Sequence, residues 1–456
     1  MSDRTLLPSR RDVVKSTTGI VVASALAGVS IPSVHAGENN TIDVALIGCG
    51  GRGTGAAINA MSTKSGPIRI TAMADAFKDR LNGSYGELKR RVDEERLQVK
   101  DDQKFVGFDA YKNAMDALKP GDVVIFATPP AFRWPFFQYA IQKKLNVFME
   151  KPIGVDSPSS RKMMELAEQS EKTGMKVGVG LMCRHCHMRK ELLERIQQGE
   201  IGEILLMRAY RMAGPTGVAN AKKKPAGMNE IEFQIRNFHA FLWASGGGYS
   251  DFLIHNIDEC CWMKGAWPVK ASGAGGRHFR DDCVDQNFDT YAVEYTFPDG
   301  TKLYLEGRTM KGAHQEFASY AHGTKAAATI SFSGHSPARC KVYKSQAMNN
   351  DNIAWKCAAK EPDPYQLEWD DLITAIREDK PYNEVKRAAM ASIVTAMGRY
   401  AAHTANVVTM DDYMKHEESF APDVDKMTLD SPAPVVSDEK GNYPWPEPGR
   451  KKNREY

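Results

Sequence analysis

Short apolar runs alternate with amphipathic segments between residues 42 and 181. Continuous apolar strands separated by helices are typical of a parallel sheet that is buried on both faces. Helical patterns occupy residues 53–62 and a charged stretch that reaches about residue 98. The pattern therefore predicts a doubly wound α/β domain over residues 37–182. Its expected strands are 43–48 (DVALIG), 68–75 (IRITAMAD), 122–130 (DVVIFATPP), 145–152 (LNVFMEKP) and 176–181 (KVGVGL).

The pattern changes to single-residue alternation after about residue 185. Residues 291–307 (YAVEYTFPDGTKLYLEG) alternate apolar and polar side chains around a Pro-Asp-Gly turn, which predicts an antiparallel hairpin with one buried face. We therefore expect an α+β domain over residues 183–415, built on a large, mostly antiparallel open sheet. Its further strands are expected at 203–212, 269–276 and 325–334, and its late helices at 366–379 and 386–404.

The two ends of the chain carry different signals. Residues 9–15 (SRRDVVK) hold a twin arginine, a moderately apolar stretch follows, and Val34-His35-Ala36 resembles a small-residue cleavage site. Residues 1–36 are thus predicted to be a twin-arginine export signal that directs the protein to the periplasm or beyond. A disordered basic arm is the alternative, and a stable membrane span would need roughly 20 strongly apolar residues. Residues 416–456 are rich in proline and predict an extended tail on a surface of this subunit or another.

Charge and cysteine usage exclude some functions. The net charge of +3 over 456 residues is too small to indicate a nucleic-acid surface. Eight irregularly spaced cysteines are expected to be mostly core thiols, although export would permit disulfides. Residues 183–187 (CRHCH) match the haem-attachment pattern, but they lead into an amphipathic helix and no second axial ligand stands out. No metal site is predicted.

A glycine-rich turn follows the first strand. Gly48, Gly50 and Gly53 give G-x-G-x-x-G between a strand and a helix, and Asp75 ends the next strand. Such a turn lets a pyrophosphate approach the helix N-terminus, while the acid accepts hydrogen bonds from the ribose hydroxyls. The acid would repel a 2′-phosphate, so NAD is the expected cofactor. Lys78 and Arg80 lie nearby in the sequence, so NADP remains an alternative cofactor.

Further cofactor contacts are expected where later strands end, because ligands bind at the carboxyl ends of strands in such sheets. Lys151 should then lie near the nicotinamide. In the segment GGGYSDFLIHNID (246–258), Asp251 and His255 are four residues apart, on one face of a helix. The three glycines would either let another segment approach closely or let the chain turn sharply into that helix. The predicted cofactor-binding residues are Gly48, Cys49, Gly50, Gly51, Arg52, Gly53, Asp75, Thr128, Pro129, Glu150 and Lys151.

The motifs IGCGGRG, MEKP and GGGYSDFLIHNID occur in the order found in the glucose-fructose oxidoreductase / inositol dehydrogenase / rhizopine catabolism (Gfo/Idh/MocA) family. The chain resembles this family over roughly residues 42–412, including GEIGEI (199–204), which opens the second domain of family members. The resemblance implies that Lys151, Asp251 and His255 surround the nicotinamide. Two departures stand out. Many members have T-P-x-x-x-H where this chain ends the motif with Arg133, and often D-x-G-x-H where it has D-F-L-I-H.

The resemblance implies hydride transfer between NAD and a secondary alcohol of a sugar, glycoside or polyol. His255 could act as the base, Lys151 could stabilise the alkoxide, and Asp251 could orient either partner. An exported enzyme is expected to hold its cofactor tightly and to regenerate it on a second substrate. The open sheet face and the Pro-rich tail favour a dimer or tetramer. A redox-neutral glycosidase and a non-catalytic sugar-binding protein are the alternatives. Residues 210–243 are expected to line the sugar pocket, with Arg184, Arg236, His239 and Tyr249 as candidate substrate contacts.

Overall fold

The computed structural model describes residues 40–456 except 279, 281 and 359, and the predicted export signal lies outside them. A six-stranded parallel sheet opens the described chain, in the order β3-β2-β1-β4-β5-β6. Its strands are Ile42–Ile47 (β1), Ile68–Asp75 (β2), Lys104–Val106 (β3), Val123–Phe126 (β4), Asn146–Met149 (β5) and Val177–Val179 (β6). The helices between them are Gly51–Met61 (α1), Lys78–Arg91 (α2), Ala110–Asp116 (α3), Arg133–Lys143 (α4) and Ser157–Lys172 (α5). This is the strand order of a Rossmann domain, so the predicted doubly wound fold is confirmed.

The segment after α2 departs from the prediction. The helix ends at Arg91 rather than near residue 98, because Leu97 and Val99 are buried against the sheet. The Gln98 amide donates to the carbonyl of Ile70 on β2, which holds this segment extended. The next strand, β3, has only three residues and one polar end, so it left no apolar run to detect.

A nine-stranded sheet follows, in the order β14-β13-β12-β11-β7-β10-β9-β8-β15. The predicted hairpin is its β9–β10 pair, and β7 and β10 pair in parallel within an otherwise antiparallel sheet. The strands are Ile204–Ala213 (β7), Lys270–Gly276 (β8), Thr290–Thr296 (β9), Lys302–Thr309 (β10), Glu316–Gly323 (β11), Ala327–Phe332 (β12), Lys341–Tyr343 (β13), Ile353–Lys356 (β14) and Val408–Thr409 (β15). The remaining helices are His187–Gln197 (α6), Glu230–Arg236 (α7), Leu242–Ser245 (α8), Gly247–Lys264 (α9), Pro364–Arg377 (α10), Val385–Thr404 (α11) and Met410–Met414 (α12). The expected α+β domain is thus confirmed in its sheet type.

Two late helices connect the sheets. Helix α10 falls within the range predicted for the second domain, but it packs on the first sheet, where the ring of Trp369 stacks on Phe148 at 4.4 Å. Helix α11 contacts both α5 and β8 and is buried along most of its length. None of the described helices is long and apolar enough to cross a membrane.

The proline-rich tail lies on its own subunit. Its backbone carbonyls at Val435 and Pro444 accept hydrogen bonds from the buried side chains of Gln234 and Gln286. Near its end, Glu455 is only 1% exposed and accepts from Nε and Nη2 of Arg399 on α11, both pairs at about 2.9 Å. These contacts make the tail part of the folded core.

Candidate active site

The glycine-rich turn has the shape that a dinucleotide requires. Gly48 has a φ of +94°, and a Cβ there would lie 2.6 Å from the backbone of Ala127. A Cβ on Gly53 would lie 2.0 Å from the carbonyl oxygen of Gly48, so helix and strand pack too closely for any other residue. By contrast, no atom lies within 4 Å of a Cβ placed on Gly50 or Gly51. No side chain caps α1, so its first amide groups remain available to the phosphates of a ligand.

Asp75 is fixed at the ribose end of this cleft. Its Oδ2 accepts from the amide of Cys49 at 2.7 Å, and its Oδ1 accepts from the amide of Phe77 at 2.9 Å. Burial raises the pKa of Asp75, and these amides oppose that effect by stabilising the carboxylate. Cys49 acts through its backbone, because its thiol is buried and donates to the carbonyl of Ala74.

Arg52 was predicted to bind the cofactor, but its side chain contacts two acidic residues of the protein. Its Nε donates to Oε1 of Glu150 at 2.6 Å, and its Nη2 donates to Glu368 at 3.2 Å. The guanidinium also lies 4.7 Å from the centre of the Tyr365 ring. The Arg52 side chain therefore connects α1 to the Glu-Lys-Pro loop and to α10.

Arg133 occupies the position where many relatives have histidine. The side chain is buried, its Nε donates to the Glu150 carbonyl at 2.9 Å, and its Nη1 donates to Oγ1 of Thr128 at 2.7 Å. Burial lowers the pKa of Arg133 to about 10, so the side chain stays charged at neutral pH. Arg133 thus fixes the ends of β4 and β5, next to Lys151. It was not predicted as a site residue, because in the sequence it stood out only as a departure from the T-P-x-x-x-H pattern of the family.

The predicted catalytic residues come together from the two domains. Nζ of Lys151 donates to the carbonyl of Asp251 at 2.7 Å and lies 3.4 Å from Oδ1 of the same residue. Nε2 of His239 lies 2.9 Å from Oδ2 of Asp251. His255 follows one turn later on α9, and its Nδ1 is buried without a hydrogen-bond partner among the described residues. One carboxylate is thus held between an amine and an imidazole, beside a second imidazole.

The electrostatics of this site favour a charged Asp251 and a neutral His255. Burial by itself would raise the pKa of Asp251, but the charges of Lys151 and His239 outweigh burial and hold that pKa well below its usual range. Burial lowers the pKa of His255, and the nearby cations Lys151 and Arg211 lower it further. A neutral imidazole at physiological pH can accept a proton, as a general base must.

Gly246 and Gly247, at the start of α9, allow close contacts with other parts of the second domain. A Cβ on Gly246 would lie 2.4 Å from Nη1 of Arg399, and a Cβ on Gly247 would lie 2.5 Å from Oδ1 of Asn287. Both residues have positive φ, which favours glycine. These positions let the start of α9 pack against α11 and the loop before β9. The helix reaches the cofactor domain through the Lys151–Asp251 contact instead.

A second cluster beside His255 carries no sequence motif. The His335 ring, in the loop after β12, lies 4.6 Å from the His255 ring, and its Nε2 lies 3.2 Å from Nη1 of Arg211. Arg211 lies near the end of β7, on the inner face of the sheet. Its guanidinium lies 4.0 Å from the centre of the Phe317 ring. The cluster joins residues more than a hundred positions apart, so only the sheet register brings it together.

Cys183, Glu259 and His335 place possible metal ligands within 4.8 Å of one another. Glu259 already accepts from Nε of Arg189 at 2.9 Å and from Oγ of Ser331 at 2.6 Å. The Arg189 guanidinium supplies the positive charge that a metal ion would bring. The cluster is therefore accounted for by an ion pair in the core.

The four residues predicted to contact the substrate lie in different surroundings. His239 is part of the site, through Asp251. Arg184 instead forms a bidentate ion pair with buried Asp258, and the Tyr249 hydroxyl lies 2.9 Å from that of Tyr295 in the core. Arg236 pairs through both terminal nitrogens with Asp79 on α2. Arg184 and Tyr249 are therefore held by buried partners, and Arg236 lies at the rim of the cofactor cleft.

Part of segment 210–243, which was predicted to line the sugar pocket, lines the dinucleotide cleft through Gly217, Val218, Ile235, Arg236, Phe238 and His239. The cleft holds about 1060 Å³ of space free of protein atoms. Gly48, Asp75 and Thr128 line one wall, and Val218 and Phe238 of the second domain line the other. The amide of Val218 lies 3.3 Å from Nδ1 of His239, which connects this wall to the catalytic residues.

Comparison with known proteins agrees with this geometry. Residues 42–180 match the family model described as "Oxidoreductase family, NAD-binding Rossmann fold". Inositol 2-dehydrogenase of Corynebacterium glutamicum is 32% identical over 162 residues, which are 35% of this chain and 41% of that protein. A glycosyl hydrolase family 109 protein of Shewanella amazonensis is 30% identical over 213 residues, 43% of this chain and 44% of that protein.

Structural comparison extends the likeness to both domains. The crystal structure of scyllo-inositol dehydrogenase from Lactobacillus casei, with bound NAD(H) and scyllo-inositol, has a TM-score of 0.59 and 19% identity, covering 81% of this chain and 99% of that one. At that identity the likeness concerns the fold. The chain spans about two fifths of the first inositol dehydrogenase in sequence. Residues 42–180 therefore form a Rossmann domain that is similar to the NAD-binding domain of Gfo/Idh/MocA oxidoreductases.

Proposed function

We propose that this protein oxidises a secondary alcohol of a sugar, glycoside or polyol by hydride transfer to NAD. The observation that carries the proposal is the meeting of Lys151 and Asp251 from two domains, where β5 ends at the cofactor cleft. A buried carboxylate, an ammonium and a neutral imidazole at one point form an acid–base site rather than a surface ion pair.

The residues of the chain divide the work of such a reaction. Bound NAD would supply the acceptor for the hydride. The ammonium of Lys151 is placed to donate to the substrate oxygen and to stabilise its negative charge. His255, neutral because its pKa is lowered, is placed to accept the hydroxyl proton. Asp251 holds Lys151 and His239 in register, and the two domain walls exclude water.

We propose that the cofactor is held tightly. Part of the second domain, including Val218 and Phe238, covers the cleft, and the Arg236–Asp79 pair joins this cover to α2 of the Rossmann domain. Dissociation of a dinucleotide would require this cover to open. Tight binding fits the proposed twin-arginine export, because that route carries folded proteins with their cofactors. The reduced cofactor would then be reoxidised by a second substrate.

Two measurements test this function. Protein that is denatured directly after purification should release about one dinucleotide per chain, identified by mass spectrometry. A panel of sugars and polyols should then reduce the bound nicotinamide, followed by its absorbance. An empty site with weak affinity for added NAD would contradict tight binding, and sugar binding without any reduction would favour the non-catalytic reading.

The family 109 relative supports a second candidate, a redox-neutral glycosidase. In that reaction the sugar is oxidised, the glycosidic substituent is eliminated, and the product is reduced again. The same Lys151, Asp251 and His255 would serve the oxidation and the reduction. Release of an aryl alcohol from aryl glycosides, with no net accumulation of reduced nicotinamide, would favour this candidate over a net oxidation.

We also propose a homo-oligomer that uses the outer face of the second sheet. Helices α9 and α11 cover the inner face, whereas Tyr304 and Phe332 on the outer face are 44% and 47% exposed. An exposed aromatic sheet face is typical of a subunit interface. Light scattering should report a dimer or tetramer, and a Phe332→Lys variant should weaken it.

A further inference from the structure

Arg211 brings a positive charge to the catalytic residues without a carboxylate to neutralise it. Among the residues that the structure describes, Arg211 forms no ion pair. One hydrogen-bond contact, from Nη1 to Nε2 of His335 at 3.2 Å, and stacking on Phe317 are its only polar and ring contacts there. The other N–H groups of the guanidinium have no protein partner among those residues.

The charges around Arg211 do not balance. The carboxylate of Asp251 is shared between Lys151 at 3.4 Å and His239 at 2.9 Å, so it is already compensated. Glu259 is taken by Arg189 in the core. Burial lowers the pKa of the Arg211 guanidinium. Among the described residues, the guanidinium of Arg211 is therefore a positive charge without a carboxylate partner, beside His335.

The orientation of Arg211 places this charge next to the proposed reacting centre. Arg211 lies on the inner face of β7, in register with Phe317 on β11. One imidazole, that of His335, separates it from His255, with ring centres 4.6 Å apart. One face of the guanidinium lies over Phe317, and apart from the Nη1 contact its N–H groups have no protein partner among the described residues. A planar edge with paired donors fits a carboxylate or a phosphate.

Resting on the proposed function, we infer that the substrate is an anionic sugar or polyol, and that Arg211 binds its carboxylate or phosphate group. Binding of that group would complete the charge balance of the site. It would also hold the substrate so that a neighbouring hydroxyl meets Lys151 and His255. Neutral polyols would lack this contact and leave the buried guanidinium unpaired.

The test compares matched neutral and acidic ligands on the holoprotein. D-glucose, D-glucuronate, D-gluconate and D-glucose 6-phosphate, and myo-inositol with its monophosphate, would be titrated by calorimetry and assayed for reduction of the bound nicotinamide. We expect at least one acidic ligand to bind tenfold or more tightly than its neutral partner. Which acid is preferred separates a carboxylate from a phosphate ester.

Two variants decide whether Arg211 is the cause. Arg211→Gln should remove the preference for the acidic ligand, while binding of neutral ligands stays within about twofold. Arg208→Gln is the matched control, because Arg208 lies on the same strand but contacts Tyr320 and His322 on the outer face. It should retain the preference. Retention of bound dinucleotide and an unchanged circular dichroism spectrum would show that both variants fold.

The inference is overturned if no acidic ligand binds better than its neutral partner, or if the preference survives in Arg211→Gln. These outcomes differ from failure of the proposed function. Oxidation of neutral polyols at equal or higher efficiency would leave the oxidoreductase proposal standing without the anion site. Tight binding of an acidic ligand with no reduction of the nicotinamide would support the anion site and contradict the proposed oxidoreductase activity.

Discussion

Glu455, the penultimate residue of the sequence, is predicted to stabilise the whole protein. Both of its oxygens accept hydrogen bonds from Arg399, and Nδ1 of His403 lies 2.6 Å from Oε2. Arg399 also donates to the Gly246 carbonyl, to Oγ of Ser250 and, through Nη2, to the carbonyl of residue 155. One buried ion pair therefore joins the tail, α11, the start of α9 and the loop after Lys151.

The magnitude follows from burial. Replacement of Glu455 by Gln keeps the shape but leaves the fully buried guanidinium of Arg399 without a counter-charge, which typically costs about 3–5 kcal/mol. Burial alone would raise the pKa of Glu455, but Arg399 outweighs it and holds that pKa at about 2, against 4.5 for a free glutamate. A shift of that size corresponds to about 3 kcal/mol, in agreement.

The sign of the pH dependence follows from the same shift. Because the pKa of Glu455 is lower in the folded state, its contribution is fully present above about pH 4.5 and is lost as the pH falls toward 2. The assay is urea unfolding followed by tryptophan fluorescence at pH 7 and at pH 3. Glu455→Gln should lose stability at pH 7, and its difference from the wild type should shrink at pH 3.

The control is Glu447→Gln on the same tail. Glu447 pairs at 3.5 and 3.6 Å with Arg450 and Lys451, and the Arg450 side chain is 84% exposed. Exposed pairs of this kind contribute roughly 0–1 kcal/mol. If Glu455→Gln were no less stable than Glu447→Gln, the tail would be a passive surface segment and this reasoning would be refuted.

Three further outcomes follow from the site. The rate of hydride transfer should stay constant as the pH falls through 6.5, because the pKa of His255 lies well below that value; a pH–rate profile with a midpoint at 6.5 would contradict it. Asp75→Ala should reduce the preference for NAD over NADP by about tenfold, or about 1.4 kcal/mol, in titrations of both cofactors, since it removes the charge that repels a 2′-phosphate. Gly53→Ala should abolish dinucleotide binding or unfold the domain, because its Cβ would lie 2.0 Å from the Gly48 oxygen; normal NAD content would refute that clash.

The sequence was informative where function rests on backbone geometry or local spacing. The glycine turn and Asp75 could be predicted because a strand, a turn and a helix N-terminus are adjacent in the chain. Asp251 and His255 share a face because they are four residues apart on a helix. Their meeting with Lys151 was predicted through the family resemblance, since no local pattern relates positions a hundred residues apart.

The sequence was not informative where the position of a side chain depends on partners that are distant in the chain. Arg184 and Tyr249 look like polar groups near the site, but Asp258 and Tyr295 satisfy them in the core. Arg211 looks like one polar residue in a strand, and only the register of β7 with β11 places it beside His335.

A single-turnover experiment tests the central claim most directly, namely that Lys151 supports hydride transfer at the meeting point of the two domains. Wild type and Lys151→Met, each with its dinucleotide content measured by mass spectrometry, would be mixed with an oxidisable substrate and followed by the absorbance of reduced nicotinamide. We predict that the rate of reduction per bound dinucleotide is at least about a hundredfold lower in Lys151→Met. Reduction at the wild-type rate in that variant would contradict the proposed active site.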